Sequence, residues 1–202
     1  MNLHGIVVGA GSGRRFGGTK ATSLLRGRPL WEWARDALVQ GGVDGVVVVG
    51  PFPGGLPGGP RRRDSVLVGL HALRDGVTHV VIHDAARPLA SAALTRVVVA
   101  RLARGDVAAV VPAVPLRDTV KRVSGDLVTM TVDRSELVAV QTPQAFVLTT
   151  LLEAHHSGDE DASDDATLVE RVGGLVAVVP GEPTNLKITY PEDLVVAEAV
   201  LR

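Results

Sequence analysis

The sequence predicts an α/β fold: a Rossmann-like, doubly wound, mostly parallel sheet flanked by helices, with a protruding β-hairpin arm. Three observations predict it. Short β-branched runs alternate with amphipathic stretches up to about residue 115, the rhythm of a parallel sheet covered on both faces. A glycine-rich loop, "GAGSGRRFGGTK" (9–20), directly follows the first apolar run, where open α/β sheets meet anions. The rhythm breaks once, at Leu116, where a polar alternating stretch takes over.

The elements follow in order. "LHGIVVG" (3–9), "VDGVVVVG" (43–50), "THVVIHD" (78–84) and "DVAAVVPAV" (106–114) read as buried parallel strands. Between them, "PLWEWARDALVQGG" has Pro29 at a helix start and Gly41 past its end. "RDSVLVGLHALRDG" predicts a helix starting at Asp64 or Ser65 and stopping near Gly76, and "SAALTRVVVARLARG" one capped by Ser91 and closed by Gly105. Such alternation implies right-handed crossovers. "DTVKRVSGDLVTMTVDR" (118–134) is a hairpin with its turn at Ser124-Gly125-Asp126. A two-stranded hairpin is marginal alone, so this arm (about 116–136) is expected to lie on a second subunit and make a homodimer. The α/β pattern resumes with "AFVLTTLLEAHH", "LVAVVPG", "NLKIT" and a last helix opened by Pro191. The acidic stretch "SGDEDASDD" (157–165) reads as a solvated loop with Ser163 capping the next helix, against the alternative of a metal chelate. Residues 1–202 are expected to form a single domain.

Composition sets bounds. Hydrophobic residues make up 46% and charged residues 21% of the 202 positions, and the net charge is −1. That profile is globular and argues against a basic nucleic-acid binder. No apolar run approaches the ~20 residues of a membrane span. The N-terminal "MNLHGIVVGA" lacks a basic n-region, and no cysteine is present, so a cytoplasmic protein without disulfide or thiolate metal sites is expected. Of 21 basic side chains only Lys20, Lys121 and Lys187 are lysines. A compact ammonium kept among arginines points to a point-charge role.

The loop at Gly9 to Lys20 does not fit a dinucleotide fingerprint. Its glycine spacing fails G-x-G-x-x-G, and the second strand ends "VVVVGPFP" with no acidic residue. A P-loop cannot be placed either. A plain turn remains an alternative. His83, just before Asp84, reads as a buried, hydrogen-bonded imidazole rather than a general base. Asp84 ends the third strand, at the edge where such sheets bind ligands.

"GAGSGRRFGGTKATSLLRGRPLWEWA" resembles the G-x-G-x-R…K…L-x-G-x-P signature of nucleotidyltransferases. "HDAARP" (83–88), "GGPRRRDSV" (58–66), "DTVKR", "TVDR", "TPQAF" and "NLKIT-PEDL" extend the resemblance over essentially the whole chain, to the 2-C-methyl-D-erythritol 4-phosphate cytidylyltransferase family. The resemblance implies transfer of a cytidylyl group from CTP to 2-C-methyl-D-erythritol 4-phosphate with Mg²⁺, a step of non-mevalonate isoprenoid biosynthesis, without nucleic acid or membrane. It implies that Arg15, Lys20 and Lys187 neutralise phosphate charge during the reaction. The loop, with Ser12 and Gly13, would wrap the triphosphate of CTP, and backbone at Ala10, Gly11 and Gly59, with the Ser65 hydroxyl, would read the cytosine. Asp84 would hold the polyol hydroxyls and help place the metal, with Arg87, Thr142 and Gln144 on the polyol side. Thr119 and Arg134, on the arm, would reach the neighbouring subunit's polyol phosphate. Read by itself, Arg134 is better explained as a surface salt-bridge partner of Asp133 or Glu136. Ribitol 5-phosphate is the alternative acceptor, and a non-catalytic nucleotide-binding module the alternative class. The link "FGGT" between Arg15 and Lys20 is shorter than the family loop and lacks its proline. Pro60 follows Gly59, leaving only backbone to meet a base there.

Overall fold

The computed structural model of the protein describes residues 1–11, 16 and 23–201. Ser12, Gly13, Arg15 and Lys20 lie outside the described residues.

The chain runs β1 (Leu3–Val8), β2 (Leu24–Leu25), β3 (Arg28–Pro29), α1 (Leu30–Gln40), β4 (Gly45–Val49), α2 (Arg62–His71), β5 (His79–Asp84), α3 (Ala92–Leu102), β6 (Ala109–Pro115), β7 (Val120–Ser124), β8 (Leu127–Val132), β9 (Val138–Val140), β10 (Gln144–Val147), α4 (Leu148–His156), α5 (Asp165–Arg171), β11 (Val176–Pro180) and α6 (Glu192–Val200). The main sheet has the order β11-β6-β10-β5-β1-β4, with β9 added to β6. β4, β1 and β5 are parallel neighbours, as are β6 and β11, while β10 inserts antiparallel between β5 and β6.

Alternation along the strands builds two cores. Leu3 and Val7 of β1, Val81 of β5 and Val110 of β6 face Trp31, Ala34 and Leu38 of α1 and Val98 and Leu102 of α3. Ile6, Val80, Ile82 and Val111 face the other way, onto Val66 and Leu70 of α2, Leu151 of α4 and Leu168 of α5. This is the three-layer solution for strands apolar on both faces. A third cluster seats α6 and Ile188 on Leu25 and Leu30.

Several boundaries differ from the sequence reading, among them the helix expected to stop near Gly76, which ends at His71. The helix expected from Asp64 or Ser65 begins at Arg62, because Asp64 Oδ2 accepts the Arg61 amide at 3.0 Å and so acts as the third helical residue of a capping box. α5 is capped by Asp164, not Ser163: Asp164 Oδ1 accepts from the Thr167 amide at 3.0 Å and from its hydroxyl at 2.8 Å. A carboxylate is the stronger acceptor of the two neighbours. "AFVLTTLLEAHH" divides into β10 and α4. α1 lies between Pro29 and Gly41 as expected, and Ser91 Oγ caps α3 by accepting the Leu94 amide at 3.0 Å.

The expected hairpin is β7 paired with β8, turning at Gly125 (φ 60°). It carries Val123, Leu127, Val128 and Met130 exposed. No helix among the described residues is long and apolar enough to cross a membrane.

Candidate active site

The order of the strands places the site. β1 has β4 on one side and β5 on the other, so the chain reverses its winding direction between β1 and β5. Ligands of open α/β sheets bind in the crevice at such a point, beyond the strands' carboxyl ends. Val8 is paired with Asp84 across those two ends, and the Ala85 amide donates to the Val8 carbonyl at 2.9 Å. The glycine-rich loop therefore departs beside Asp84.

Asp84 is buried yet charged on both sides. Lys187 Nζ lies 2.6 Å from its Oδ2, and Arg62 Nε lies 3.2 Å from its Oδ1. Burial alone would push the carboxyl up, but the charges of Arg62 and Lys187 overcome it and hold Asp84 well below the usual carboxylate range. The strand end is fixed by Thr142, whose Oγ1 accepts the Asp84 amide at 3.0 Å and sits 2.8 Å from His83 Nδ1. His83 is fully buried, and burial pushes its imidazole down to about 4. It is the hydrogen-bonded structural residue the sequence suggested.

Around Asp84 a cleft is lined by Arg62, Arg87, Thr142, Gln144 and Lys187. Arg87 Nη1 donates to the Asn185 carbonyl at 2.7 Å, which ties the Lys187 segment to the loop after β5. Asn185 Nδ2 in turn donates to the Thr142 carbonyl at 2.9 Å. Gln144 Nε2 donates to Asp164 Oδ2 at 3.0 Å. Arg62 Nη2 and Arg87 Nε are buried without a partner among the described residues. Three cations around one carboxylate, two of them with unused donors, suit an anionic ligand such as a phosphate.

A second feature adjoins the end of β1. The Ser65 hydroxyl accepts the Gly59 amide at 3.1 Å and donates to the Arg61 carbonyl at 3.2 Å. A Cβ on Gly58 would stand 2.1 Å from Ala10 Cβ and 2.8 Å from Ser65 Oγ. Ala10, Gly58, Gly59 and Ser65 thus pack closely together beside the end of β1. Gly11, by contrast, is exposed, and a Cβ there would meet nothing within 4 Å.

Thr119 and Arg134 are both exposed at the base of the arm and do not line the Asp84 cleft. Arg134 donates to the Arg117 carbonyl rather than pairing with Asp133 or Glu136. Among the described residues no group of three or more histidine, aspartate or glutamate side chains could hold a metal ion.

The family model of IspD, 2-C-methyl-D-erythritol 4-phosphate cytidylyltransferase, matches residues 56–202. The chain belongs to this cytidylyltransferase family. It is 40% identical to a 2-C-methyl-D-erythritol 4-phosphate cytidylyltransferase of Prochlorococcus marinus, over 98% of both chains. It is 46% identical to a bifunctional enzyme IspD/IspF of Solidesulfovibrio magneticus, where it spans 96% of its own length and 56% of the relative's. The crystal structure of the Thermus thermophilus cytidylyltransferase superposes with a TM-score of 0.85 at 36% identity, covering 98% of each chain.

Two residues of this cytidylyltransferase-family site were not singled out from sequence. Arg62 stands in the "GGPRRRDSV" string. In a run of three arginines only the helix start tells which one faces the sheet. Asp165 lay within the acidic stretch read as a solvated loop, but it is buried and pairs with Arg62 Nη1 at 2.6 Å. Arg61 and Arg63 reach the same stretch, Arg61 through Asp159 Oδ1 at 2.5 Å and Arg63 through the carbonyls of His155, Gly158 and Glu160.

Proposed function

We propose that this protein transfers the cytidylyl group of CTP to 2-C-methyl-D-erythritol 4-phosphate, releasing pyrophosphate. One observation carries the reading. The carboxyl end of β5 holds Asp84 between Lys187 and Arg62, in a chain that matches a 2-C-methyl-D-erythritol 4-phosphate cytidylyltransferase over nearly its whole length.

In this reading an oxygen of the acceptor phosphate forms the new bond to the α-phosphorus. The bond from that phosphorus to the bridging oxygen of the β-phosphate breaks, and pyrophosphate leaves with its electron pair. The acceptor phosphate is already anionic at neutral pH, so no protein base has to remove a proton. The protein's work is positioning and charge neutralisation. Lys187 supplies one positive charge to the phosphates, and Arg15 and Lys20 of the glycine-rich loop supply two more. The cluster of Ala10, Gly58, Gly59 and Ser65 takes cytosine, because a flat pyrimidine needs close backbone donors and acceptors more than charge. Asp84 offers its carboxylate to the polyol hydroxyls, with Arg87, Thr142 and Gln144 shaping that side.

Mg²⁺ keeps several waters and binds through one or two carboxylates plus substrate phosphates. A single ionised Asp84 fits that requirement. The ion would neutralise triphosphate charge there. The arm, with its exposed apolar residues, is proposed to pair two copies and present Thr119 and Arg134 to the partner's acceptor phosphate. The absence of cysteine agrees with a cytoplasmic setting.

The test is pyrophosphate release from CTP and Mg²⁺ with either acceptor. Release with 2-C-methyl-D-erythritol 4-phosphate well above that with ribitol 5-phosphate is expected. The reverse preference, or CTP binding without release, overturns the proposal.

A further inference from the structure

Behind Asp84 lies a buried chain of polar contacts that the transfer reaction as described does not use. His155 on α4 is 3.2 Å from Asp165 Oδ1, through its Nε2. Asp165 Oδ2, at the start of α5, accepts from Arg62 Nη1 at 2.6 Å. Arg62, the first residue of α2, donates through Nε to Asp84 Oδ1 at 3.2 Å. Lys187 then takes Asp84 Oδ2. The side chains of His155 and Asp165 are 0% and 1% exposed. Arg62 holds Asp165 in its ionised form, so His155 Nε2 carries the proton of that contact.

Burying such a chain is a poor device for stability, because desolvation offsets most of the attraction. Its geometry does something else. A guanidinium facing one carboxylate prefers the bidentate fork, two parallel N–H bonds to both oxygens. Arg62 makes no such fork with Asp84. Its Nη1 is turned back to Asp165, and only Nε reaches Asp84, at a single oxygen. The second oxygen is left for Lys187, which is partly exposed and faces the cleft.

We propose that Asp165, seated by His155, is a positioning residue that holds Arg62 to one oxygen of Asp84 and thereby reserves the other for Lys187 and the acceptor. Without the Asp165 charge on Nη1, the guanidinium turns so that Nη2, buried with no partner among the described residues, joins Nε on Asp84 and both oxygens are gripped; Lys187 loses its anchor, and the acceptor loses its carboxylate. The proposal rests on the cytidylyl-transfer reading.

Steady-state pyrophosphate release tests it on wild type, Asp165→Asn, Arg62→Ala and the double variant. Asp165→Asn is expected to lower kcat about ten-fold and raise the acceptor KM several-fold, with the CTP KM unchanged. In the Arg62→Ala background Asp165→Asn is expected to add no further loss, because its effect runs through Arg62. Asp165→Glu restores part of the activity. Full additivity in the Arg62→Ala background, or a CTP KM raised as much as the acceptor KM, overturns the proposal. If Asp165→Asn does not fold, His155→Gln and His155→Leu replace it. The glutamine keeps an N–H donor and holds kcat within about two-fold, and the leucine loses about five-fold. Equal kcat for those two overturns the proposal. Unchanged variants of an active wild type sink this inference alone, whereas an inactive wild type sinks the transfer reading with it.

Discussion

Asp84 and Lys187 form a 2.6 Å ion pair in which one member is anchored and the other is free to move: the aspartate side chain is 9% exposed and the lysine 44%. The aspartate ends β5, where the sheet and Thr142 hold it. The lysine sits on an irregular segment tied down by Asn185 and by the Ile188 amide, which donates to the Ala86 carbonyl at 2.8 Å. Such a lysine can pass from carboxylate to phosphate without moving the backbone. Lys187→Ala is expected to lower kcat by about 10²–10³-fold while the CTP KM changes only a few-fold. Steady-state kinetics with both substrates varied checks this, and near-normal turnover removes Lys187 from the reaction.

Lys20 is the second rare lysine. Lys20→Ala is expected to lose far more in turnover than in CTP affinity, because in the proposed reaction its charge acts on the phosphate under attack. Single-turnover rates alongside equilibrium CTP binding separate the two. A variant with near-normal turnover and weakened binding contradicts the assignment.

The cluster beside β1 gives a steric prediction. Gly58→Ala puts a methyl group 2.1 Å from Ala10 Cβ and 2.8 Å from Ser65 Oγ. The two backbones must separate, at a cost of roughly 1–3 kcal/mol. The CTP KM should rise well above that of wild type while the acceptor KM stays level. Denaturant unfolding and kinetics read the two effects, and an unchanged CTP KM removes the cluster from base recognition.

Acid should weaken the fold in two separate steps. Burial holds His83 at about 4 in the folded state against 6.5 unfolded, so the folded chain binds fewer protons there. The resulting stabilisation is complete above pH 6.5 and is lost as pH falls toward about 4, about 3 kcal/mol in all. Asp84 is also held below its unfolded value of 3.8, so its contribution is lost only below that. Urea midpoints between pH 7 and 4.5 should fall in wild type and fall less in His83→Gln. His79, lowered by its own burial, titrates in both proteins and leaves the difference to His83. Parallel curves for the two contradict the assignment.

Subunit sharing has a direct test. Mixing inactive Lys187→Ala with inactive Arg134→Ala should restore about a quarter of wild-type activity, because half of randomly mixed dimers each carry one intact site. No recovery after exchange places Arg134 in its own subunit's site.

Much of this was legible in the residues. The apolar runs at Leu3–Val8 and His79–Asp84, the Pro29 and Ser91 starts, and the Ser124-Gly125-Asp126 turn are all short-range signals, set by apolar patterning and capping chemistry. β10 was not legible. Four residues, "QAFV", running into an apolar helix carry no period that tells strand from helix. Asp165 was hidden for a related reason. An acidic run looks solvated unless one knows that three arginines face it.

The sequence by itself determined the α/β order, the glycine loop at the first strand's end, the placing of Asp84 at the end of its strand and the family. These depend on local propensity and on motif spacing. Only the tertiary structure decided that Arg62, rather than Arg61 or Arg63, meets Asp84, and that Asp165 and His155 stand behind it. Those contacts join residues 22 and 103 positions apart. They depend on where α2 begins and on how α4 and α5 pack over the sheet, and both are settled by packing rather than by any local pattern.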